Sequence, residues 1–223
     1  MLVEKLTTNI KAHGFYNYGL YLGLRLAQRI TYTAVLVGMT LTPESLDPRF
    51  LEADDKYESR FATADELKEY AADPENDLPA DFLDVALAKE DSCYAILDGD
   101  RLASYGWYTN TATLFTPGLD LVFDRSWTYM YRGFTHPAYR GQRLHAIGMA
   151  RAMQHFAENG SRGLISYVHA SNFSSLRSVY RMGYRTIGKI IVVRVPGRFV
   201  VWTTGQCKQH GLTVAPTSPP HSA

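Results

Sequence analysis

Thr135-His136-Pro137-Ala138-Tyr139-Arg140-Gly141-Gln142-Arg143-Leu144-His145 is the stretch on which the reading of this chain turns. It follows a run rich in aromatic and β-branched residues, breaks at a proline, turns through Arg-Gly and opens a long helical pattern. A chain that passes from strand to helix in this way turns several unpaired backbone N–H groups toward one point. That point is also the positive end of the helix dipole, where phosphate binds. Further on, Asn172-Phe173-Ser174-Ser175-Leu176-Arg177-Ser178-Val179-Tyr180-Arg181-Met182-Gly183-Tyr184 sets an Asn ahead of a short helix that carries Tyr180 and stops at Gly183. An amide and a phenol can reach one ligand from such an element. The two stretches together imply a phosphate-bearing cofactor with an acid on one side of a cleft.

These residues resemble the cofactor-binding core of the GNAT superfamily of acyl-CoA-dependent N-acyltransferases. The family pattern runs strand, Pro, Arg-Gly-x-Gly-x-Gly/Ala, helix, strand, Asn, short helix with Tyr, then Gly-Phe/Tyr. Here Arg140-Gly141-Gln142-Arg143-Leu144-His145 covers the pyrophosphate loop, and Asn172, Tyr180 and Gly183-Tyr184 cover the second element. The looser likeness spans residues 55–205. Arg143 and His145 stand where the family usually has glycines, and backbone donation survives them if φ stays negative. The resemblance implies acetyl-CoA or another acyl-CoA as co-substrate and a small-molecule or protein amine as acceptor. It implies backbone binding of the pyrophosphate by Arg140, Gly141, Gln142, Arg143, Leu144 and His145. Tyr180 would be the general acid for the departing thiolate. Asn172 would bond the pantetheine arm, cap its helix, or do both. The strand ending at Phe134 and Thr135 would run beside that arm, with the Phe134 N–H freed by a bulge to hold the thioester oxygen.

Composition sets the outer bounds. The 223 residues suffice for a substantial core. Two cysteines, Cys93 and Cys207, provide neither a disulfide framework nor metal-ligand spacing, and no metal is expected. The start Met1-Leu2-Val3-Glu4-Lys5 lacks the pattern of a signal peptide, and the apolar run 20–41 is interrupted by Arg25, Gln28 and Arg29. A soluble cytoplasmic protein without a membrane span is the expectation.

The formal net charge of +1 conceals an asymmetry. Residues 1–124 carry 10 Lys and Arg against 21 Asp and Glu, a net −11, whereas residues 125–223 carry 13 against the single acid Glu158, a net +12. A basic half suits an anionic ligand such as a coenzyme nucleotide, and mutual neutralisation of two packed halves accounts for it equally well. The arginines are scattered through helices and strands with no nucleic-acid motif beside them, so no nucleic-acid partner is expected.

Periodicity and punctuation predict the elements. A helix is expected over residues 3–30 and a strand over Thr31–Leu41. A strand at Lys56–Ala62 precedes helices at Ala64–Ala72, with Thr63 and Glu66 as a capping box, and at Phe82–Lys89. Ser92–Leu97 and Leu102–Tyr108 form a hairpin around Asp98-Gly99-Asp100. Then follow strands at Leu119–Phe123 and Trp127–Thr135, a helix at Leu144–Asn159, a strand at Leu164–His169, a helix at Ser174–Met182, and strands at Thr186–Val195 and Arg198–Trp202. The sum is an α/β (α+β) fold: a central mixed, mostly antiparallel sheet with helices on both faces, plus an N-terminal helix-strand extension. Residues 1–54 would be that extension, covering a sheet edge or serving as an acceptor-binding or dimerising arm. Residues 55–205 would form the core, and 206–223 a partly disordered tail.

The general base is open. Glu158 lies deep in the long helix, so the candidates are Asp120, Asp124, a carboxylate of the acidic half, His136, His169, or water relayed by Tyr129 or Tyr131. The aromatic set Tyr105, Trp107, Tyr108, Trp127, Tyr129 and Tyr131 fits a filled core and also an apolar acceptor pocket. Gly183-Tyr-Arg-Thr-Ile-Gly188-Lys189 has most of a phosphate-loop pattern, but Ile190 replaces the required hydroxyl and a strand follows where a helix is needed. No Gly-x-Ser-x-Gly or His-Glu-x-x-His supports a hydrolase. Two other readings stay beside acetyl transfer: a coenzyme-binding protein without catalysis, and an acyltransferase served by an acyl carrier protein.

Overall fold

The computed structural model describes residues 32–52 and 54–217; the helix expected over 3–30 lies outside them. Eleven strands and four α-helices are described: β1 (Thr33–Leu41), β2 (Tyr57–Phe61), α1 (Ala64–Ala71), α2 (Ala80–Ala88), β3 (Ser92–Asp98), β4 (Arg101–Thr109), β5 (Thr113–Thr116), β6 (Leu119–Val122), β7 (Thr128–Thr135), α3 (Leu144–Glu158), β8 (Leu164–His169), α4 (Phe173–Met182), β9 (Arg185–Val195), β10 (Arg198–Thr203) and β11 (Thr213–Pro216). The Thr63–Glu66 capping box opens α1 as expected. Helix α2 begins at Ala80, behind Pro79, rather than at Phe82.

Eight strands make the main sheet in the order β10-β9-β1-β8-β7-β4-β3-β2. Every neighbouring pair is antiparallel except β7 and β8. That parallel pair is joined only at Thr128↔Leu164 and Tyr129↔Ile165. Beyond Tyr129 the two strands part, although β7 continues to Thr135 and β8 to His169. A wedge therefore opens in the middle of the sheet.

Two faces follow from the period-2 alternation of side chains. Tyr94, Tyr108, Met39 and Leu41 point to one face and meet Met149, Met153 and Ala150 of α3 and Leu176 and Val179 of α4. Cys93, Ala95 and Trp107 point to the other and meet Leu67 of α1 and Leu83 of α2. Farther along that second face a small sheet, β11-β6-β5, covers Leu36, Ile165 and Ile190. Both faces of β3, β4 and β1 are thus covered, so their residues are buried in near-continuous runs.

Two segments outside the expected core sit in the fold otherwise than expected. Strand β1 does not cover an edge; it lies between β8 and β9, and Leu36, Met39 and Leu41 are fully buried. Strand β1 pairs with both β8 and β9 and so belongs to the main sheet. The run from 206 to 217 is not a loose tail either. Cys207 and Leu212 are fully buried and β11 pairs with β6, an arrangement that short apolar spacing in the sequence does not announce. Strand β5 was also unforeseen, since Thr113–Thr116 is only four residues long.

Candidate active site

The loop after β7 is built in steps. His136 caps a short 3₁₀ turn at Pro137–Tyr139, its Nδ1 accepting from the Ala138 N–H at 3.2 Å while Nε2 lies 3.2 Å from Glu75. Gly141 then takes φ +85° and Arg143 takes φ +62°, both in the left-handed region. Arg143 is the N-cap residue of α3 and its side chain makes no capping bond. The first-turn N–H groups of α3 are therefore turned outward, and the first intrahelical bond runs from Ile147 N–H to the Arg143 carbonyl. The sequence-based condition that φ stays negative holds for helical His145 and fails for Arg143. A side chain in that conformation costs roughly 1–2 kcal/mol.

This loop forms one wall of a cleft of about 290 Å³. The other wall is α4, whose Ser174, Arg177, Ser178 and Arg181 recur at i, i+3, i+4 and i+7 and so share one face. Leu176, Val179 and Met182 face the core instead. With Arg140 and Arg143 from the loop, four guanidinium groups line the cleft, and none pairs with a carboxylate among the described residues. The reason is in the sequence: Glu158 is the one acid after Asp124. Uncapped helix N–H groups together with four unpaired cations make a site for a polyanion such as a pyrophosphate.

The predicted residues separate into those the cleft collects and those it does not. Thr135, Arg140, Gly141, Arg143, Leu144 and His145 line it. Gln142 turns away, its Oε1 accepting from the Tyr57 hydroxyl. Asn172 caps α4, accepting from Ser175 N–H at 3.2 Å and Ser174 Oγ at 3.0 Å, and is not among the lining residues. Tyr180 is the clearest correction. It is 48% exposed, shares a 2.9 Å hydrogen bond with Thr186 of β9, and is not among the residues that line the cleft. Its assignment as general acid has no geometric support.

Phe134 is a second correction. The bulge exists, but it falls at Tyr131: Tyr108 faces Met130 and Trp107 faces Arg132, so Tyr131 is the extra residue. Phe134 faces Tyr105, and the next outward bond is His136 N–H to the Ala103 carbonyl at 3.0 Å. Ladder alternation therefore directs the Phe134 N–H into the pair with β4, and turns the N–H groups of Gly133 and Thr135 toward the wedge. Gly133 is exposed there. A Cβ at Gly133 would overlap the His145 ring, whose Nε2 would lie 2.8 Å away. His145 thus packs over β7 while also lining the cleft. Burial holds its imidazole below the usual histidine range, against a smaller opposing effect of the Tyr105 carbonyl.

The far face of the wedge is aromatic. Tyr131 stacks on Tyr129 with centroids 6.1 Å apart, and Tyr129 on Tyr167 of β8 at 6.3 Å. Burial pushes the Tyr129, Tyr131 and Tyr167 phenols up, so they remain protonated at neutral pH. Tyr131 donates to Asp91 at 2.9 Å. The other base candidates are engaged or remote. Asp120 bonds Thr217, Asp124 accepts from Ser126 N–H, and His136 serves its turn. His169 ends β8 and lies edge-on to Tyr167, its imidazole lowered by burial. Asp91 was not singled out from the sequence, where it is one acid among many.

Similarity to known proteins agrees with this architecture. The model of the GNAT acetyltransferase family matches residues 54–184. No curated protein matches the sequence. Among solved structures, a GNAT-family acetyltransferase from Colwellia psychrerythraea superposes with a TM-score of 0.51 at 13% identity, covering 72% of this chain and 56% of that one. A GCN5-related N-acetyltransferase-like protein from Streptococcus suis gives 0.50 at 12% identity, with coverages of 76% and 66%. A Drosophila protein aligns over 83% of this chain and 59% of its own, with a TM-score of 0.46 at 18% identity. The chain thus spans roughly three fifths of the length of such structures. Among the described residues no helix is long and apolar enough to cross a membrane. With the family model matched across β2 to α4, over the turn from β7 into α3 and the parted strands, the chain belongs to the GNAT acetyltransferase family.

Proposed function

We propose that the protein transfers an acetyl group from acetyl-CoA to a primary amine by direct attack. The observation that carries this is the cleft beside the parted strands: four arginines, without a carboxylate partner among the described residues, line it at an uncapped helix N-terminus, and Thr135 of β7 lines it too. The diphosphate of the donor would lie on the loop and between Arg177 and Arg181. Its pantetheine arm would follow β7 as a substitute strand. The N–H of Gly133 or Thr135 would then stabilise the oxyanion that forms as the amine attacks, and alignment of the two reactants would supply much of the acceleration.

Direct transfer is favoured over an acyl-enzyme because both thiols are sequestered. Cys93 is 2% and Cys207 0% exposed, and burial pushes both thiols up, away from the reactive thiolate. One observation favours a second reading, coenzyme binding without transfer: Tyr180 does not reach the cleft. Thermal unfolding with acetyl-CoA, followed by thiol release with an amine panel, separates the two. Donor at 100 times its Kd should stabilise the protein by about 2.7 kcal/mol. An unmoved Tm at millimolar acetyl-CoA would remove both readings; a raised Tm with no amine-dependent thiol release would leave the second.

A further inference from the structure

We propose that Tyr131 and Asp91 form the proton relay that activates the acceptor amine, with Tyr131 the group that meets it and Asp91 the final proton acceptor. The inference rests on the acyl-transfer reading above.

Three observations place these residues. The bulge at Tyr131 sends both Tyr131 and Arg132 to the face of the sheet opposite α3. Arg132 lies over the Phe82 ring of α2 at 4.5 Å and the Tyr131 ring lies 6.2 Å from it. Without the extra residue, Tyr131 and Arg132 would point to opposite faces. Next, β7 and β8 cease pairing at Tyr129, so Tyr131 is the first side chain on this face beside the open wedge. The donor cleft is on the α3 and α4 face, so an acceptor entering from the Tyr131 face would meet the thioester within the wedge.

Asp91 is the third observation. Its side chain is only 2% exposed, and Oδ2 accepts from the Tyr131 hydroxyl at 2.9 Å and lies 3.2 Å from Lys89 Nζ. Its Oδ1 is buried without a hydrogen-bond partner among the described residues. The charged and titratable groups around the pair are Lys89 after α2, Arg132 and Tyr129 of β7, and Cys93 of β3. Lys89 offsets the charge of the buried carboxylate, and the uncommitted oxygen leaves a place where a proton can be received. A phenol bonded to a carboxylate can accept at oxygen while it releases its own proton inward, so Tyr131 needs no phenolate form.

The proton balance is complete. The acceptor ammonium gives one proton to Tyr131 Oη as the phenolic proton passes to Asp91. The freed nitrogen lone pair forms the C–N bond at the thioester carbonyl, whose π electrons move to oxygen. Collapse of the intermediate restores C=O and breaks the C–S bond. The second nitrogen proton goes to the departing thiolate, and Asp91 later returns its proton to solvent.

The test compares wild type, Tyr131→Phe and Asp91→Asn, with spermidine, glucosamine and a lysine peptide as probes. Acetyl-CoA affinity should be unchanged in both variants, which also reports their folding. Turnover at pH 7 should fall by roughly 10²–10⁴. It should recover as pH rises toward the amine's own pKa, since an amine already deprotonated needs no relay. Wild type that transfers to no probe would overturn the acyl-transfer reading and the relay with it. Wild type that transfers while a coenzyme-binding Tyr131→Phe keeps its rate and pH profile would overturn the relay alone.

Discussion

Tyr180 and Thr186 share a 2.9 Å hydrogen bond that ties α4 to β9 on the solvent side. The phenol that the sequence offered as acid is therefore a surface tie. Tyr180→Phe should leave turnover within about twofold and cost about 0.5–1.5 kcal/mol of stability, the usual net worth of one such bond. Steady-state rates and a denaturant titration on one preparation measure both. A hundredfold loss of turnover with intact coenzyme affinity would return Tyr180 to the chemistry.

Arg177 and Arg181 are the two cations that α4 contributes to the cleft. Each charge-assisted bond to a phosphate oxygen is worth roughly 1.5–3 kcal/mol, so Arg177→Gln or Arg181→Gln should weaken coenzyme A by about 10- to 100-fold. The loss should shrink at high salt, where the wild-type advantage is itself screened. Titration calorimetry at two ionic strengths gives the comparison. Equal affinity in a folded double variant would place the phosphates elsewhere.

The fold was largely legible because its signals are local. The capping box at Thr63 and Glu66, the Asp98-Gly99-Asp100 turn and the Pro137-to-Gly141 break each act over a few residues. What the sequence hid was non-local. Nothing in Thr33–Leu41 states that it pairs between β8 and β9, and nothing in Thr213–Pro216 names β6 as partner. The turn from β7 into α3 was readable for the same local reason. Tyr180 was misplaced because one residue on a helix is 100° of rotation, enough to carry a side chain from cleft to solvent. Asp91 was invisible because its meaning depends on Tyr131, forty positions away and brought near by a bulge.

Arg143 gives a prediction that separates charge from backbone. Its φ of +62° is unfavourable for any side chain, whereas glycine adopts it freely. Arg143→Gly and Arg143→Ala should lose coenzyme affinity alike, since both remove the same cation. In stability they should part, with the glycine variant ahead by about 1 kcal/mol. Paired urea unfolding curves decide this. An alanine variant equal to glycine would mean that the left-handed turn stores no strain.

His145 ties the loop to the sheet and makes stability depend on pH. Its imidazole packs over Gly133, and burial lowers its proton affinity in the folded state. The unfolded chain, with an ordinary value of 6.5, binds the proton more readily. Above that value both states are neutral and the contribution is whole. As pH falls below 6.5 the unfolded state gains a proton first, so stability declines until the folded imidazole also protonates. His169 and His210 are lowered by burial too and add to the same trend. Replacing His145 with Gln removes one of these protons, so the loss of Tm between pH 7 and pH 5 should become shallower. Gly133→Ala tests the contact from the other side. The added methyl overlaps the ring and should cost about 1–3 kcal/mol. In a His145→Ala background the same change should cost little, because the ring is gone and the other close atom, the Met130 methyl at 2.8 Å, ends a flexible side chain that can shift. A Gly133→Ala penalty that persists at full size in that background would show that the strand rejects the methyl for its own reasons, and that the His145 contact does not hold the loop to β7.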